Sequence, residues 1–356
     1  GKDLTLSIDR RIQYLAYREL KAAMKTHKAK AASAVVLDVQ SGEIIAMVNQ
    51  PSFNPNNRKQ LRRSDMRNRA VTDVFEPGST MKPFIVAAGL ESGRYRPETA
   101  VSTSPGWYRV GVNTVRDVHD YGQLDVTGVI RKSSNVGISK IALSLPQESI
   151  WEILSDLGFG AQTFSGFPGE ASGLLPHFSG WNAIETATMS FGYGMSATPL
   201  QLAQAYAVIA SGGIKRSISF LHDKRSVEER RVMPTRVANQ VLDMLEAATA
   251  DDGTAPQARV AGYRVAGKTG TVRKSVAGGY SDDRYRAVFA GMVPASNPRL
   301  VMVVVVDEPS AGQYYGGQVA APVFSKVMAG TLRLMAIPPD GLPLIQTRGA
   351  SGEDSA

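Results

Sequence analysis

Apolar residues at Ile12, Ala16, Leu20 and Ala23 recur at three- and four-residue spacing, which predicts an amphipathic helix capped by Asp9 and running to about Lys30. The pattern then changes to β-rich runs. "SAVVLDV" and "EIIAMV" flank "QSG", a hairpin signal with Gly42 at the turn, and the Asn, Pro and Ser between Asn49 and Asn57 predict a loop. "FIVAAGLESG" reads as a buried helix closed by Gly93. From about Thr127 to Ala250 the patterns are mainly helical, with "ESIWEILSDLG", "TPLQLAQAYAVIASGG" and "PTRVANQVLDMLEAAT" the clearest. Thr198, Pro199 and Gln201 form a capping-box start there, and Gly212 a stop. After Gly262 the character returns to β. "YRVAGKTGTVRK", "YRAVFAGMVPA" and "RLVMVVVVDE" predict three strands, "APVFSKVMAGTLRLM" a closing helix, and the Pro-, Gly- and Ser-rich residues from Ile337 a flexible tail.

A helix and two strands therefore begin the chain, and three strands and a helix end it. The simplest fold pairs the two ends into one sheet and sets the helical block beside it, with a site in the cleft between. The expected division is a sheet part over about 1–60 and 262–336, a helical part over about 70–261, and a tail over 340–356.

Composition narrows the function. Hydrophobic residues make up 43% and charged residues 20%, which excludes disordered and collagen-like chains. Lys and Arg total 40 against 32 acids. The densest basic run, "RKQLRRSDMRNR" from Arg58 to Arg69, holds six basic residues without interleaved aromatics, so nucleic-acid stacking is not indicated. It reads as a solvated or ion-paired face. The absence of cysteine removes thiol nucleophiles, disulfides and cysteine zinc sites. His27, His119, His177 and His222 are scattered with no metal-ligand spacing, and no cofactor or metal is expected. No run of 18 apolar residues exists to cross a membrane as a helix. Gly1 leads into "KDLTLSID" without an initiating methionine, which suggests a piece of a longer protein.

The candidate chemistry begins at "EPGSTMKPF", Glu76 to Phe84. Pro83 lacks an N–H and is tolerated only in a first helical turn, so the helix is expected to start near Ser79 or Thr80. Ser79 then stands at a helix N-terminus, where free N–H groups favour developing negative charge. Lys82 lies on the same face, three residues on, within expected reach of Ser79. A Lys-Thr-Gly triplet falls at Lys268, Thr269 and Gly270 inside a predicted strand, where a glycine marks close approach by a ligand or another backbone. A Ser-x-Asn triplet lies between them at Ser133, Ser134 and Asn135; a second, Ser52 to Asn54, falls in a loop.

Three such elements in this order are the known signature of the serine acyltransferases that recognise penicillin. The longer strings "RNRAVTDVFEPGSTMKPF", "KSSNVGISKIA", "ETATMSFGYG" and "AGKTGT" resemble the class B penicillin-binding proteins of the division-specific (FtsI or penicillin-binding protein 3) type. The resemblance runs from about Leu4 to Pro339 and implies a transpeptidase domain over residues 1–339. The implied fold class is α/β of the α+β kind, with a five-stranded antiparallel sheet flanked by the terminal helices and a mainly helical subdomain.

It implies Ser79 as nucleophile and Lys82 as base, once burial and a neighbouring cation such as Lys268 bring its pKa toward neutrality. Ser133 would relay a proton and Asn135 would orient Lys82 and hold the substrate amide. The backbone N–H groups of Ser79 and Thr271 would form the oxyanion hole. Thr269, Gly270 and Thr271, with Lys268, would receive the carboxylate of a D-Ala-D-Ala stem peptide. Tyr193, Tyr285, Tyr314 and Tyr315 would line the cleft, and Arg273 would make a salt bridge.

The implied partners are a D-Ala-D-Ala donor, a diamino-acid acceptor amine, β-lactams and division-associated membrane proteins. The implied location is the periplasmic face of the cytoplasmic membrane, held by an anchor outside this sequence. Two other readings stay open, a serine β-lactamase and a non-catalytic β-lactam sensor. The first requires a deacylating glutamate, for which Glu170 and Glu185 are the acids to check. "GYGMSA" fits a dinucleotide fingerprint in letters only, since no β-rich run precedes it.

Overall fold

The computed structural model describes residues 1, 3–57, 59, 62–222 and 227–341. Asp9 accepts from the backbone N–H groups of Arg11 and Ile12 and starts helix α1, Arg10–Thr26. The helix stops short of Lys30: His27 caps it and Lys28 turns left-handed (φ 46°), freeing the chain to enter strand β1 at Ala31. β1 (Ala31–Asp38) and β2 (Ile44–Gln50) form the hairpin, with Gly42 at φ 70°. β2 extends two residues, Asn49 and Gln50, into the expected loop.

A short helix α2 (Arg69–Thr72) and a 3-10 turn (Gly78–Met81) lead into α3 (Lys82–Glu91). Strands of three or four residues follow: β3 (Ala100–Ser102), β4 (Trp107–Val110), β5 (Asn113–Arg116) and β6 (Gln123–Asp125). Then come α4 (Val126–Lys132), α5 (Asn135–Leu143), α6 (Gln147–Leu157), α7 (Ala183–Met189) and α8 (Pro199–Ala210). Strands β7 (Ile214–Arg216) and β8 (Glu229–Arg231) pair before α9 (Thr235–Ala247). Strands β9 (Ala266–Val276), β10 (Gly279–Val293) and β11 (Leu300–Asp307) lead to α10 (Gly316–Val319) and α11 (Ala321–Leu334).

The sheet order is β2-β1-β11-β10-β9, antiparallel throughout, so strands from the two ends of the chain meet at β1 and β11 with Val35 opposite Val303. Both faces are buried, which is why "LVMVVVV" in β11 is apolar without alternation. On one face Val304 and Met302 join Ile12, Leu20, Phe289 and Phe324, the core under α1 and α11. On the other, Val303 and Val305 join Met81, Phe84 and Tyr206, the core under α3 and α8. The nucleophile turn therefore rests on the sheet itself.

Two expectations need correction. The region read as mainly helical carries the β7–β8 pair, and the segment ahead of it carries two further two-stranded sheets, β3–β6 and β4–β5. Strands this short show no measurable period. The chain from Ile337 is also tied down. Ile337 is buried, its carbonyl accepts from Tyr263 at 2.6 Å, and the Asp340 carboxylate accepts from the N–H groups of Arg264 and Ser296. The rest of the expected tail, 342–356, lies outside the described residues, as do Arg58, Gln60 and Leu61 of the basic run. Arg67 and Arg69 from that run both pair with Asp73.

Candidate active site

Ser79 sits on the 3-10 turn, not on the regular helix, which begins at Lys82. In a 3-10 turn, residues three apart eclipse, so Ser79 and Lys82 share one side. The turn is anchored from three directions. Thr80 Oγ1 donates to Pro77 O at 2.7 Å, the fully buried Tyr206 hydroxyl on α8 donates to Thr80 O at 2.9 Å, and Gly78 N–H donates to Gly192 O at 3.2 Å. Gly78 and Gly192 cross so closely that a Cβ on Gly192 would lie 2.2 Å from Gly78 O. Gly270 answers the same need across the cleft, since a Cβ there would lie 3.1 Å from Pro77 O. The glycine in the β9 triplet thus admits the nucleophile turn's backbone.

Lys82 is fully buried. Its Nζ lies 2.5 Å from Ser133 O, 3.1 Å from Ser133 Oγ and 2.8 Å from Asn135 Oδ1. Among the described residues, the Ser79 hydroxyl is not a hydrogen-bond partner of Lys82, so the expected direct contact is replaced by an inward reach to the Ser-x-Asn loop. Lys268, also fully buried, donates to the same Ser133 Oγ at 2.8 Å and to Thr269 O at 3.3 Å. Ser133 is held at φ 58°, in the left-handed region, where α4 ends and α5 begins. That backbone conformation aims both its carbonyl and its hydroxyl at the lysines.

Burial holds the Lys82 amine well below the usual lysine range, and the neighbouring Lys268 pushes it further down; Asp117 opposes both. Burial brings the Lys268 amine to about 7. A buried lysine without a carboxylate partner loses solvation that hydrogen bonds to neutral groups only partly restore, so the proton is released instead.

β9 is an edge strand of the sheet. The N–H of Arg273 points off that edge toward the Tyr193 hydroxyl oxygen at 3.4 Å. Backbone groups two residues apart on a strand point the same way, so the Thr271 N–H also faces the cleft. Thr271 Oγ1 accepts from Gly316 N–H at 3.0 Å, and Thr269 Oγ1 donates to Thr254 Oγ1 at 3.0 Å.

Ser79, Ser133, Asn135, Thr269, Thr271 and the four expected tyrosines line one cleft of about 630 Å³, with Lys82, Lys268 and Gly270 outside its lining. Tyr285 stacks on Tyr314 at 4.3 Å and Tyr314 on Tyr315 at 4.6 Å; Tyr193 meets Tyr280 edge-on at 5.2 Å. Arg273 pairs with the exposed Asp282. His119 also lines the cleft. A groove of about 560 Å³ between α1 and β2 is lined by Ser52 of the second Ser-x-Asn triplet and by none of the residues that line the Ser79 cleft.

Sequence reasoning missed Asp117, Glu76 and Tyr280. The Glu76 carboxylate, three residues before Ser79, accepts from Gly194 N–H and the Tyr280 hydroxyl, joining the nucleophile turn to the β9–β10 hairpin. Neither acid proposed for deacylation lines the cleft. The Glu170 carboxylate is occupied by the Thr163 and Ser165 N–H and hydroxyl groups, and Glu185 completes the capping box of α7.

Residues 32–329 match the model of the penicillin binding protein transpeptidase domain. The chain belongs to this family. It is 46% identical over 342 residues to the probable peptidoglycan D,D-transpeptidase PbpC of Pseudomonas aeruginosa, covering 96% of this chain and 60% of that protein. To the peptidoglycan D,D-transpeptidase FtsI of Escherichia coli K12 it is 47% identical over 340 residues, covering 96% and 58%. This penicillin-binding transpeptidase domain thus spans about three fifths of the length of these curated relatives. Its fold matches the transpeptidase domain of penicillin-binding protein 3 from Burkholderia pseudomallei with a TM-score of 0.88 and 43% identity, covering 96% of this chain and 99% of that one.

Proposed function

We propose that this chain carries the peptidoglycan D,D-transpeptidase activity of a division-type penicillin-binding protein. Ser79 attacks the D-Ala-D-Ala bond of a donor stem peptide, D-Ala leaves, and the acyl group passes from Ser79 to the amine of a neighbouring stem. The observation that carries this reading is the convergence of Lys82 and Lys268 on Ser133, which lines the same cleft as Ser79.

A neutral Lys82 suits this geometry. Its two N–H groups donate to Ser133 O and Asn135 Oδ1, the nearest of its partners, which leaves the lone pair of a neutral amine free to take a proton, while the Ser133 hydroxyl oxygen accepts from Lys268. The proton leaving Ser79 passes to the Lys82 amine, and the Ser133 hydroxyl then hands a proton to the departing D-Ala nitrogen while taking one from Lys82. The N–H groups of Ser79 and Thr271 receive the tetrahedral oxyanion; one such donor contributes about 2.7–4 kcal/mol to the barrier. The Thr269 and Thr271 hydroxyls with Lys268 receive the donor carboxylate, and the tyrosine rim packs against the rest of the peptide or a β-lactam side group.

Among the described residues no helix is long and apolar enough to cross a membrane. The proposed setting is the periplasmic face of the cytoplasmic membrane, with division-associated membrane proteins as partners of the longer protein. The test is an intact-mass time course with benzylpenicillin. The reading predicts a persistent penicilloyl adduct that Ser79→Ala abolishes. Turnover of the drug with free enzyme remaining indicates a β-lactamase, and no adduct refutes the assignment.

A further inference from the structure

The two small sheets between α3 and α4 hold a carboxylate against the back of the Ser-x-Asn loop. Asp117 follows directly on β5, and its own N–H donates to Gly106 O at 2.9 Å, which ties it to the start of β4. Its Oδ2 accepts from Ser134 Oγ at 2.5 Å, and its Oδ1 accepts from the N–H of Asn135 and, at 3.0 Å, from that of Val136. These N–H groups open α5, so the carboxylate caps that helix from a different part of the chain. The neighbouring Arg116 carbonyl accepts from Asn135 Nδ2 at 3.1 Å. With Nδ2 so engaged, Asn135 turns its Oδ1 to Lys82. Residues 116 and 117 therefore clasp Asn135 by backbone and side chain together.

We propose that Asp117 is a positioning residue for acyl transfer, which fixes Ser133 and Asn135 around Lys82 and places a negative charge within the field of that lysine. The proposal rests on the acyl-transfer reading above. Lys82 on α3 and Tyr121 in the following loop both feel the Asp117 charge. Arg116 and His119 flank it on its own segment, and Lys268 on β9 acts on Lys82 from the opposite side. Asp117 raises the Lys82 amine where burial and Lys268 lower it. Neutralising Asp117 must therefore let Lys82 lose its proton at lower pH.

The experiment measures the second-order rate of acylation by benzylpenicillin against pH for the wild-type chain, Asp117→Asn and Asp117→Ala, with thermal midpoints in parallel. Asn keeps an oxygen for the Asn135 and Val136 N–H groups and removes the charge. Its plateau rate is expected within about tenfold of wild type, with the acid limb displaced to lower pH. Ala removes the clasp as well, and its plateau is expected to fall about 100-fold, the cost of a misplacement near 1 Å. A purely structural carboxylate would lower the thermal midpoint and leave the Asn variant's acid limb in place, and that result overturns the proposal. So does wild-type plateau acylation by the Ala variant. If Ala does not fold, the displacement in the Asn variant decides alone. A wild-type chain that gains no adduct at any pH fails the acyl-transfer reading itself, a result distinct from a normal wild type with unchanged variants.

Discussion

Lys82 and Lys268 lie fully buried on one side of the cleft with their hydrogen bonds made inside the protein, whereas Tyr285, Tyr314 and Tyr315 on the other side stack on one another at a partly exposed rim. The lysine floor has no tolerance. A buried amine needs each partner in place, and those partners come from α3, the α4–α5 junction and β9 at once. The rim depends on area and ring contact, which fall gradually when one member is lost. Substitutions should therefore divide sharply by side.

The largest effect is expected from Lys82→Ala. Loss of the base should slow penicillin acylation by about 10²–10⁴-fold and flatten the acid limb of its pH profile, measured by stopped-flow or quenched mass spectrometry. Next is Gly192→Ala, which adds a Cβ 2.2 Å from Gly78 O at φ 81°. Left-handed strain of about 1–3 kcal/mol, with the clash in addition, should appear in urea unfolding, and acylation should fall because the Ser79 turn moves.

Lys268 supplies a pH-dependent test of the same floor. The folded chain releases this proton near pH 7, while the unfolded chain holds it to about its ordinary value of 10.5. Between these values the unfolded state binds more protons at Lys268, so the Lys268 contribution to stability should rise with pH across that window and stay flat below it. Lys268→Met should lose that part of the rise, and keep the part that Lys82 adds by the same linkage, in denaturant titrations taken from pH 6 to 10. The smallest effect is expected at the rim. Tyr314→Ala removes two stacked contacts and should reduce acylation only a few-fold with the pH profile unchanged. A rim variant that moved the acid limb would erase the distinction between the two sides.

The parts legible in the sequence were those with long periods or fixed letters. The five sheet strands and the terminal helices show in the runs at Val35, Val304 and Phe324 because each buries a continuous face. Ser79, Lys82, Ser133, Asn135 and Lys268 were singled out by the order of their motifs and the family resemblance; the fold joins Lys82, Ser133, Asn135 and Lys268 by hydrogen bonds and sets Ser79 in the lining of the same cleft as Ser133 and Asn135. Asp117 was not legible, because it follows a four-residue, largely exposed strand whose pairing has no pattern of its own. Glu76 stood beside the nucleophile unassigned, since its meaning depends on Gly194 and Tyr280, both far along the chain. The start of α3 falls at Lys82 and not at Ser79 or Thr80, because a 3-10 turn and an α-helix begin with the same signals of Gly and Pro.

The central claim is that Lys82 rests neutral and so can take the Ser79 proton. Nitrogen-15 NMR of the lysine side chains, with Lys82→Arg to assign the signal, measures this directly. A Lys82 resonance of a neutral amine at pH 7.5, becoming an ammonium only on acidification, is the predicted result. An ammonium signal that persists above pH 10 would contradict the account, even with Ser79 reactive.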